Sequence, residues 1–254
     1  MPSFTLVHSL KMARYSHATF SCFLIIGCFS VLFPKVSNMA QWGWTTVSYE
    51  VAWRREVTEV NGNVLTLDAP IVQPIEAVYG GAIVYRYEMR YNSAPVEISN
   101  VGIENIRIES VYADDLDENH GKHAVMVQRV TNGWIRQVTA RYFWSGVVYL
   151  RRYSHAMTVE DSASIDPKGT LAGGRRYGFT IDDGEMHLIQ RCYVRDGRHD
   201  FASGSRTTGP NVYVDSLSVD SYNDIGMYHI VWKLLYLVLQ ILRSYSLGSC
   251  VPLV

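Results

Sequence analysis

The chain lacks most of the residues and motifs that staple small folds or hold cofactors. Its 254 residues include four Cys. Cys22 and Cys28 fall in an N-terminal apolar run. Only Cys192 and Cys250 remain, so no disulfide framework exists. There is no CxxC, no metal-type Cys/His spacing and no N-x-[ST] sequon. P-loop, GxGxxG, GxSxG and HExxH motifs are absent, which leaves nucleotide cofactors and serine hydrolysis without support. Leu is scarce in the middle: Leu150 and Leu171 are the only two between 120 and 180, too few for a leucine-rich repeat. Helical signals are nearly missing between 96 and 224, which excludes ankyrin, TPR and HEAT arrays. Basic surplus is missing too. The 23 Lys and Arg face 24 Asp and Glu, so nucleic acid is not an expected partner. Lys in particular is rare, with five against 18 Arg. The planar Arg fork suits carboxylate or sulfate, although surface Arg explains the bias equally well.

What remains is a globular balance of 48% hydrophobic and 19% charged residues. The ends differ from the middle. The run Phe20–Phe33 is shorter than the roughly 20 residues of a spanning helix and fits a signal-peptide core. Lys11 and Arg14 precede it, and small residues follow at Ser37–Ala40. Residues 1–40 therefore read as a secretory signal, with a membrane anchor or a buried segment as alternatives. Residues 44–229 read as one domain. Residues 230–254 carry a second apolar run, Ile230–Leu242, which reads as a helix. It is either a cap or a segment outside the domain. Contact with a membrane is expected only through these two ends.

The middle repeats. Val57–Val60 and Val64–Leu67 flank Asn61-Gly62-Asn63, a hairpin signal. Further on, five segments share one shape: Ile108–Val111, Ile135–Val138, Val159–Ser162, Ile189–Cys192 and Val214–Leu217. Their starts lie 27, 24, 30 and 25 residues apart. A second strand recurs at Ala124–Val127, Val147–Tyr149, Phe179–Ile181 and Phe201–Ser203. Such a period with short strands is a solenoid signature. It predicts an all-β right-handed parallel β-helix with short helical or hairpin end caps. Ile108, Ile135, Val159, Ile189 and Val214 are expected to stack as the core. Ser110, Gln137, Asp161, Arg191 and Ser216 are expected where the chain turns. A β-sandwich is the alternative.

The chain from about 57 to 224 resembles the pectate-lyase-like superfamily of right-handed β-helix proteins. VTEVNGNVLTLDAP at 57–70, VGIENIRIES at 101–110 and the coil series carry the likeness. GGRRYGF at 173–179 and GRHDFASGSRTTGPNV at 197–212 look like an uncharacterised secreted branch of it. The resemblance implies an extracellular carbohydrate-active protein, since the family includes lyases, polygalacturonases and non-catalytic adhesins. Of the polygalacturonase-type motifs only Asp182-Asp183 has an echo, in an Asp-Asp-Gly turn. Of the pectate-lyase motifs only Ile165-Asp166-Pro167 does.

Three loops collect polar residues. Asp114–His120 offers Asp115, Asp117 and Glu118 as oxygen ligands for Ca²⁺, or is simply a solvated acidic loop. Asp166–Tyr177 contributes Asp166, Lys168, Arg175, Arg176 and Tyr177. Asp196–Arg206 contributes Arg198, His199, Asp200 and Arg206. Equivalent loops of adjacent coils lie about 4.8 Å apart, so the last two should meet. A uronate lyase needs a cation on the carboxylate and a base for the adjacent proton. His199 is the expected base, with Arg198, Asp200, Asp166 and Arg175 as catalytic partners. Arg176, Lys168, Arg206 and Tyr177 are expected to bind substrate. A hydrolase would instead need two carboxylates across the sugar bond, drawn from Asp166, Asp196 and Asp200. Tyr142, Phe143, Trp144, Tyr149 and Tyr153 could stack on sugar faces. The reading is a secreted, monomeric polysaccharide lyase-like enzyme for acidic glycans. Its alternatives are a glycan- or surface-binding β-helix without catalysis, and an inactive or incomplete family member.

Overall fold

A computed structural model describes residues 23–28, 51–72, 82–86, 90–91, 94–95, 97–204 and 207–223. The chain divides into two units, residues 1–96 and 97–254, and the division falls inside the 44–229 span read as one domain. The run Ile230–Leu242 and the cleavage context at 37–40 lie outside the described residues. Among the described residues no helix is long and apolar enough to cross a membrane.

The first unit contains an antiparallel sheet in the order Val64–Leu67, Val51–Asn61, Phe23–Cys28, Ala82–Arg86. The expected hairpin is there, with Asn61 opposite Val64. Gly62 takes a φ of 58°, a left-handed turn conformation that costs Gly little. Phe23–Cys28, from the centre of the N-terminal apolar run, forms the strand between Val51–Asn61 and Ala82–Arg86. Trp53 is the buried anchor, packed by Val57, Leu65, Leu67, Ile71 and Val84. Buried Arg55 donates to the carbonyls of Arg54, Ala69 and Pro70, so its charge is solvated by backbone.

The second unit is a parallel β-solenoid of about four turns. Three sheets run along it. The first face stacks Ile98–Ser99, Val130–Thr131, Ser154–His155 and Gly184–Glu185. The second face is the longest. Gly102–Glu109 pairs with Trp134–Arg141, and from there each turn splits into two short strands: Thr158–Glu160 with Ala163–Ile165, Leu188–Gln190 with Tyr193–Arg195, and Val212–Val214 with Leu217–Val219. The third face stacks His123–Val127, Gly146–Leu150, Phe179–Ile181 and Phe201–Ser203, close to the strands read from sequence.

The core column on the second face is Ile103, Ile135, Val159, Ile189 and Tyr213. The expected column is thus corrected at both ends. Ile108 stacks on Ala140, half a strand further along, and Tyr213 rather than Val214 lies beside Ile189. The bend explains the first slip. Asn105, Gln137, Asp161, Arg191 and Asp215 take φ between 49° and 56° in the middle of this face. Each bend is followed by a second inward set, so a turn offers two apolar starts. Three of the expected turn residues, Gln137, Asp161 and Arg191, are these bends; Asn105 and Asp215 replace Ser110 and Ser216. Asn and Asp tolerate the left-handed region because their short side chains bond locally.

A bend breaks the backbone ladder, and serines repair it. The Val138 N–H donates to Ser162 Oγ at 3.1 Å, and that hydroxyl donates to the Glu160 carbonyl at 2.9 Å. The Cys192 N–H uses Ser216 Oγ in the same way at 3.1 Å. Ser162→Ala leaves the Val138 N–H buried without an acceptor. It is expected to cost about 1–3 kcal/mol. A urea midpoint unchanged from wild type would contradict that role.

The Arg excess finds its use on the outside. Arg136 pairs with Glu104, and Arg191 reaches Glu160 and Asp161 at 2.8 Å each. Arg152 reaches Asp183 at 2.9 Å. These pairs cross from one turn to the next and zip the turns together. Being exposed, each contributes little alone.

Candidate functional site

The two loops expected to converge do so. The Arg198 N–H donates to the Arg176 carbonyl at 2.8 Å and the His199 N–H to the same oxygen at 3.3 Å. Their side chains, however, are spent on the fold. His199 is 1% exposed and Asp200 is 0% exposed. The His199 ring packs edge-on against Tyr177 at 4.9 Å. Ser218 Oγ donates to Asp200 Oδ2. Burial pushes the Asp200 carboxyl up to about 6, above the ordinary carboxylate range. Both side chains are enclosed by the fold rather than set out on an exposed loop.

Asp166 is gripped by Arg141 at 3.0 Å and Arg195 at 2.6 Å. Burial raises its pKa, but these two guanidinium groups outweigh burial and hold it low. Asp196 on the next turn is raised, by burial and by the neighbouring Asp166. The pair stands close, yet its ionised member is fully engaged with Arg.

The acidic loop and the basic loop neutralise each other. Lys168 Nζ lies 2.8 Å from Asp115 Oδ1. Arg175 forks onto Glu118, with Nε 3.0 Å from Oε1 and Nη2 2.8 Å from Oε2. Arg175 and Thr170 hold the Glu118 carboxyl down to about 2. Arg176 donates through Nε and Nη2 to the Gly169 carbonyl at 3.0 and 2.7 Å. Asp117 accepts from the Ala113 and Asn119 N–H groups at 2.9 and 2.7 Å, bracing its own loop. Asp115, Asp117 and Glu118 thus face Lys, backbone and Arg rather than a common centre. Among the described residues no group of three or more His, Cys, Asp or Glu converges as a metal would require. Arg206 lies outside the described residues.

The cavity sits elsewhere, on the outward side of the third face. Strand registry sets Met126, Tyr149, Thr180 and Ala202 in one outward column. Side chains shrink along it from Tyr to Thr to Ala, which opens a cavity of about 240 Å³. Lys122, His123, Tyr149, Tyr177, Thr180 and Asp182 are among its walls. Among the described residues, Tyr177 is the one expected substrate-binding residue that lines it. Tyr149 was expected only as a sugar-stacking aromatic. Asp182 stood out only as part of the Asp182-Asp183 echo, and His123 and Lys122 carried no signal as a site.

Its chemistry is compact. The His123 ring stacks on Tyr149 with centroids 4.4 Å apart and planes 4° apart. Burial first, then Lys122 and Arg151, lower the His123 pKa to about 4, so the imidazole is neutral at pH 7. Neither ring nitrogen has a protein hydrogen-bond partner, and Thr180 Oγ1 lacks one too. Tyr149 donates its hydroxyl proton to Asp182 Oδ2 at 2.6 Å. Burial, then Asp182, push the phenol well above its ordinary range. Gly204 makes room for that carboxylate, since a Cβ there would lie 2.4 Å from Asp182 Oδ1. Asp183, the second of the Asp pair, takes the separate contact with Arg152. Lys122 Nζ lies 4.8 Å from the Trp144 ring centroid, and the Arg151 guanidinium 5.7 Å from that of Tyr149. Neither Lys122 nor Arg151 makes an ion pair among the described residues. A neutral base, a proton-bearing phenol and the Lys122 ammonium thus line one cavity, with Arg151 beside its Tyr149 wall.

The fold and site define a class, a parallel β-solenoid with a His–Tyr–Lys cavity on one face. No family model, no curated protein and no solved structure matches the chain.

Proposed function

We propose that the protein is a polysaccharide lyase acting on acidic glycans outside the cell, a right-handed β-helix of the pectate-lyase-like kind, with its reaction in the His123–Tyr149 cavity. One observation carries this reading. Lys122 lines the cavity without an ion pair among the described residues, beside the neutral, unpartnered imidazole of His123 and near the exposed Arg151. Uncompensated positive charge at a cavity favours an anionic ligand.

The chemistry follows from the residues. Lys122 pairs with the uronate carboxylate and so acidifies the adjacent C–H. A nitrogen of His123 takes that proton, and the electron pair forms the C=C bond as the glycosidic C–O bond breaks. The Tyr149 hydroxyl turns from Asp182 toward the leaving oxygen and gives it its proton. The proton on His123 then leaves to solvent and Tyr149 is reprotonated. No metal or redox partner enters the balance.

The test is incubation of the full chain with pectate, alginate, glycosaminoglycans and a neutral glucan, following the ultraviolet absorbance of the unsaturated uronate product. Absorbance should grow on at least one acidic polymer and on no neutral one. Absence of product on every acidic polymer would overturn the enzyme reading; retained binding without product would leave a glycan-binding solenoid. The pH profile adds a second check. A base whose pKa is lowered to about 4 stays deprotonated down to that pH. The acid limb of kcat/KM is therefore expected near 4. A limb near the ordinary His value of about 6.5 would contradict the assignment.

A further inference from the structure

A loop that walls the cavity is fastened at a single carboxylate. Gly174 and Tyr177, both from the loop Asp166–Tyr177, line the cavity. Backbone bonds anchor this loop at two points. The Gly169 N–H donates to the Asp115 carbonyl at 2.8 Å, and the Arg176 N–H donates to the Trp144 carbonyl at 3.0 Å. Between these anchors, among the described residues, the hydrogen bonds from 170–175 to the rest of the fold all end on Glu118. Thr170 Oγ1 donates to Glu118 Oε1 at 2.5 Å, and the Thr170 N–H reaches the same oxygen at 3.4 Å. Arg175 adds its fork. Leu171, Ala172, Gly173 and Gly174 are exposed, and neither Arg175 nor Glu118 is buried. The segment follows Gly169 and includes Gly173-Gly174, whose φ values are 132°, 34° and 63°. Glycine backbone changes conformation there without the steric cost of a Cβ.

The groups inside the cavity need uncovering. Both ring nitrogens of His123 and the Thr180 hydroxyl are enclosed as well as unpartnered. A general base must come within hydrogen-bond reach of the proton it takes. We propose, on the reading of this cavity as the glycan site, that residues 170–175 form a strap over it, latched by Glu118 and lifted to admit the glycan. Exposed ion pairs cost little to break, and moving lids are drawn from the least stable parts of a fold. Salt rather than mild acid governs such a latch. Arg175 and Thr170 hold the Glu118 carboxyl down to about 2, so it stays ionised above that pH. An exposed pair is, by contrast, screened as ionic strength rises.

Labelling of histidines by diethyl pyrocarbonate, followed residue by residue in the full chain by mass spectrometry, tests the strap without turnover. A chain that cuts no glycan still answers it. Glu118→Gln keeps the shape of the latch and removes its charge. The labelling rate of His123 should then rise about two- to fivefold, the range that loss of an exposed ion pair allows. His187, buried against Ser154 and Met157, is the internal reference and should not change. Added salt should speed His123 labelling in wild type and do so far less in Glu118→Gln. Arg175→Lys, which keeps the charge without the fork, should fall between the two. Equal His123 rates in wild type and Glu118→Gln would overturn the proposal, as would a matching rise at His187, the mark of general loosening.

Discussion

His123→Ala is expected to lower kcat for elimination by about 10²- to 10⁴-fold, the range a positioned general base contributes. The neutral imidazole stacked on Tyr149 has no second histidine beside it in the cavity, so nothing replaces it. Tyr149→Phe is expected to fall in the same range, through loss of the proton donor rather than of the ring stack. The double variant should be little worse than either single one, since groups that act as a unit are not additive. His199→Gln supplies the contrast. That residue is buried against Tyr177 and should alter stability more than kcat. Unimpaired kcat in His123→Ala, or a collapse of kcat confined to folded His199→Gln, would return the base to the other loop.

Phe179→Ala is expected to cost about 3–5 kcal/mol. The ring is fully buried and stacks on Phe201 with centroids 5.5 Å apart, on the inner side of the strand whose Thr180 floors the cavity. Removing it deletes apolar contacts on two turns at once and leaves a void that a coil held by its own ladder cannot close. Against the 5–15 kcal/mol typical of a domain, that is a large share. Phe179→Leu keeps most of the volume and should cost less. Urea unfolding followed by tryptophan fluorescence measures both. A cost under about 1 kcal/mol for the Ala variant would mean that the Phe179–Phe201 stack is not a core contact.

The coil was legible because it repeats. Phe179–Ile181 and Phe201–Ser203 emerge as strands with the bounds read from sequence, and Val159 and Ile189 are neighbours in one column as expected. The slips come from local degeneracy. In IENIRIES the apolar residues at 103, 106 and 108 all suit an inward position, and only the left-handed bend at Asn105 decides which stacks on Ile135. In Val212-Tyr213-Val214 the two valines frame the inward Tyr, so composition pointed to the wrong one. The site was harder. A Gly-rich stretch beside His199 and Asp200 looked like exposed loop chemistry, but burial depends on which way the turn folds. His123 and Tyr149 lie a full turn apart in sequence, and only strand registry stacks them. Aligning His123–Val127 with Gly146–Leu150 turn by turn is the signal that could have paired them. The Arg excess also misled. Counting cations could not separate those zipped to carboxylates from the uncompensated Arg151, nor draw attention to Lys122 among so few lysines.

Mass analysis of the oligosaccharides released from the best acidic polymer tests the central claim most directly. Elimination adds no water across the broken bond, so each new non-reducing end should be unsaturated and lighter by one water than a hydrolysis product. That result, lost in His123→Ala and kept in His199→Gln, is the one expected. Saturated ends would mark a hydrolase built on paired carboxylates, and intact polymer would mark a solenoid that does not cut glycans at all; either would contradict the account.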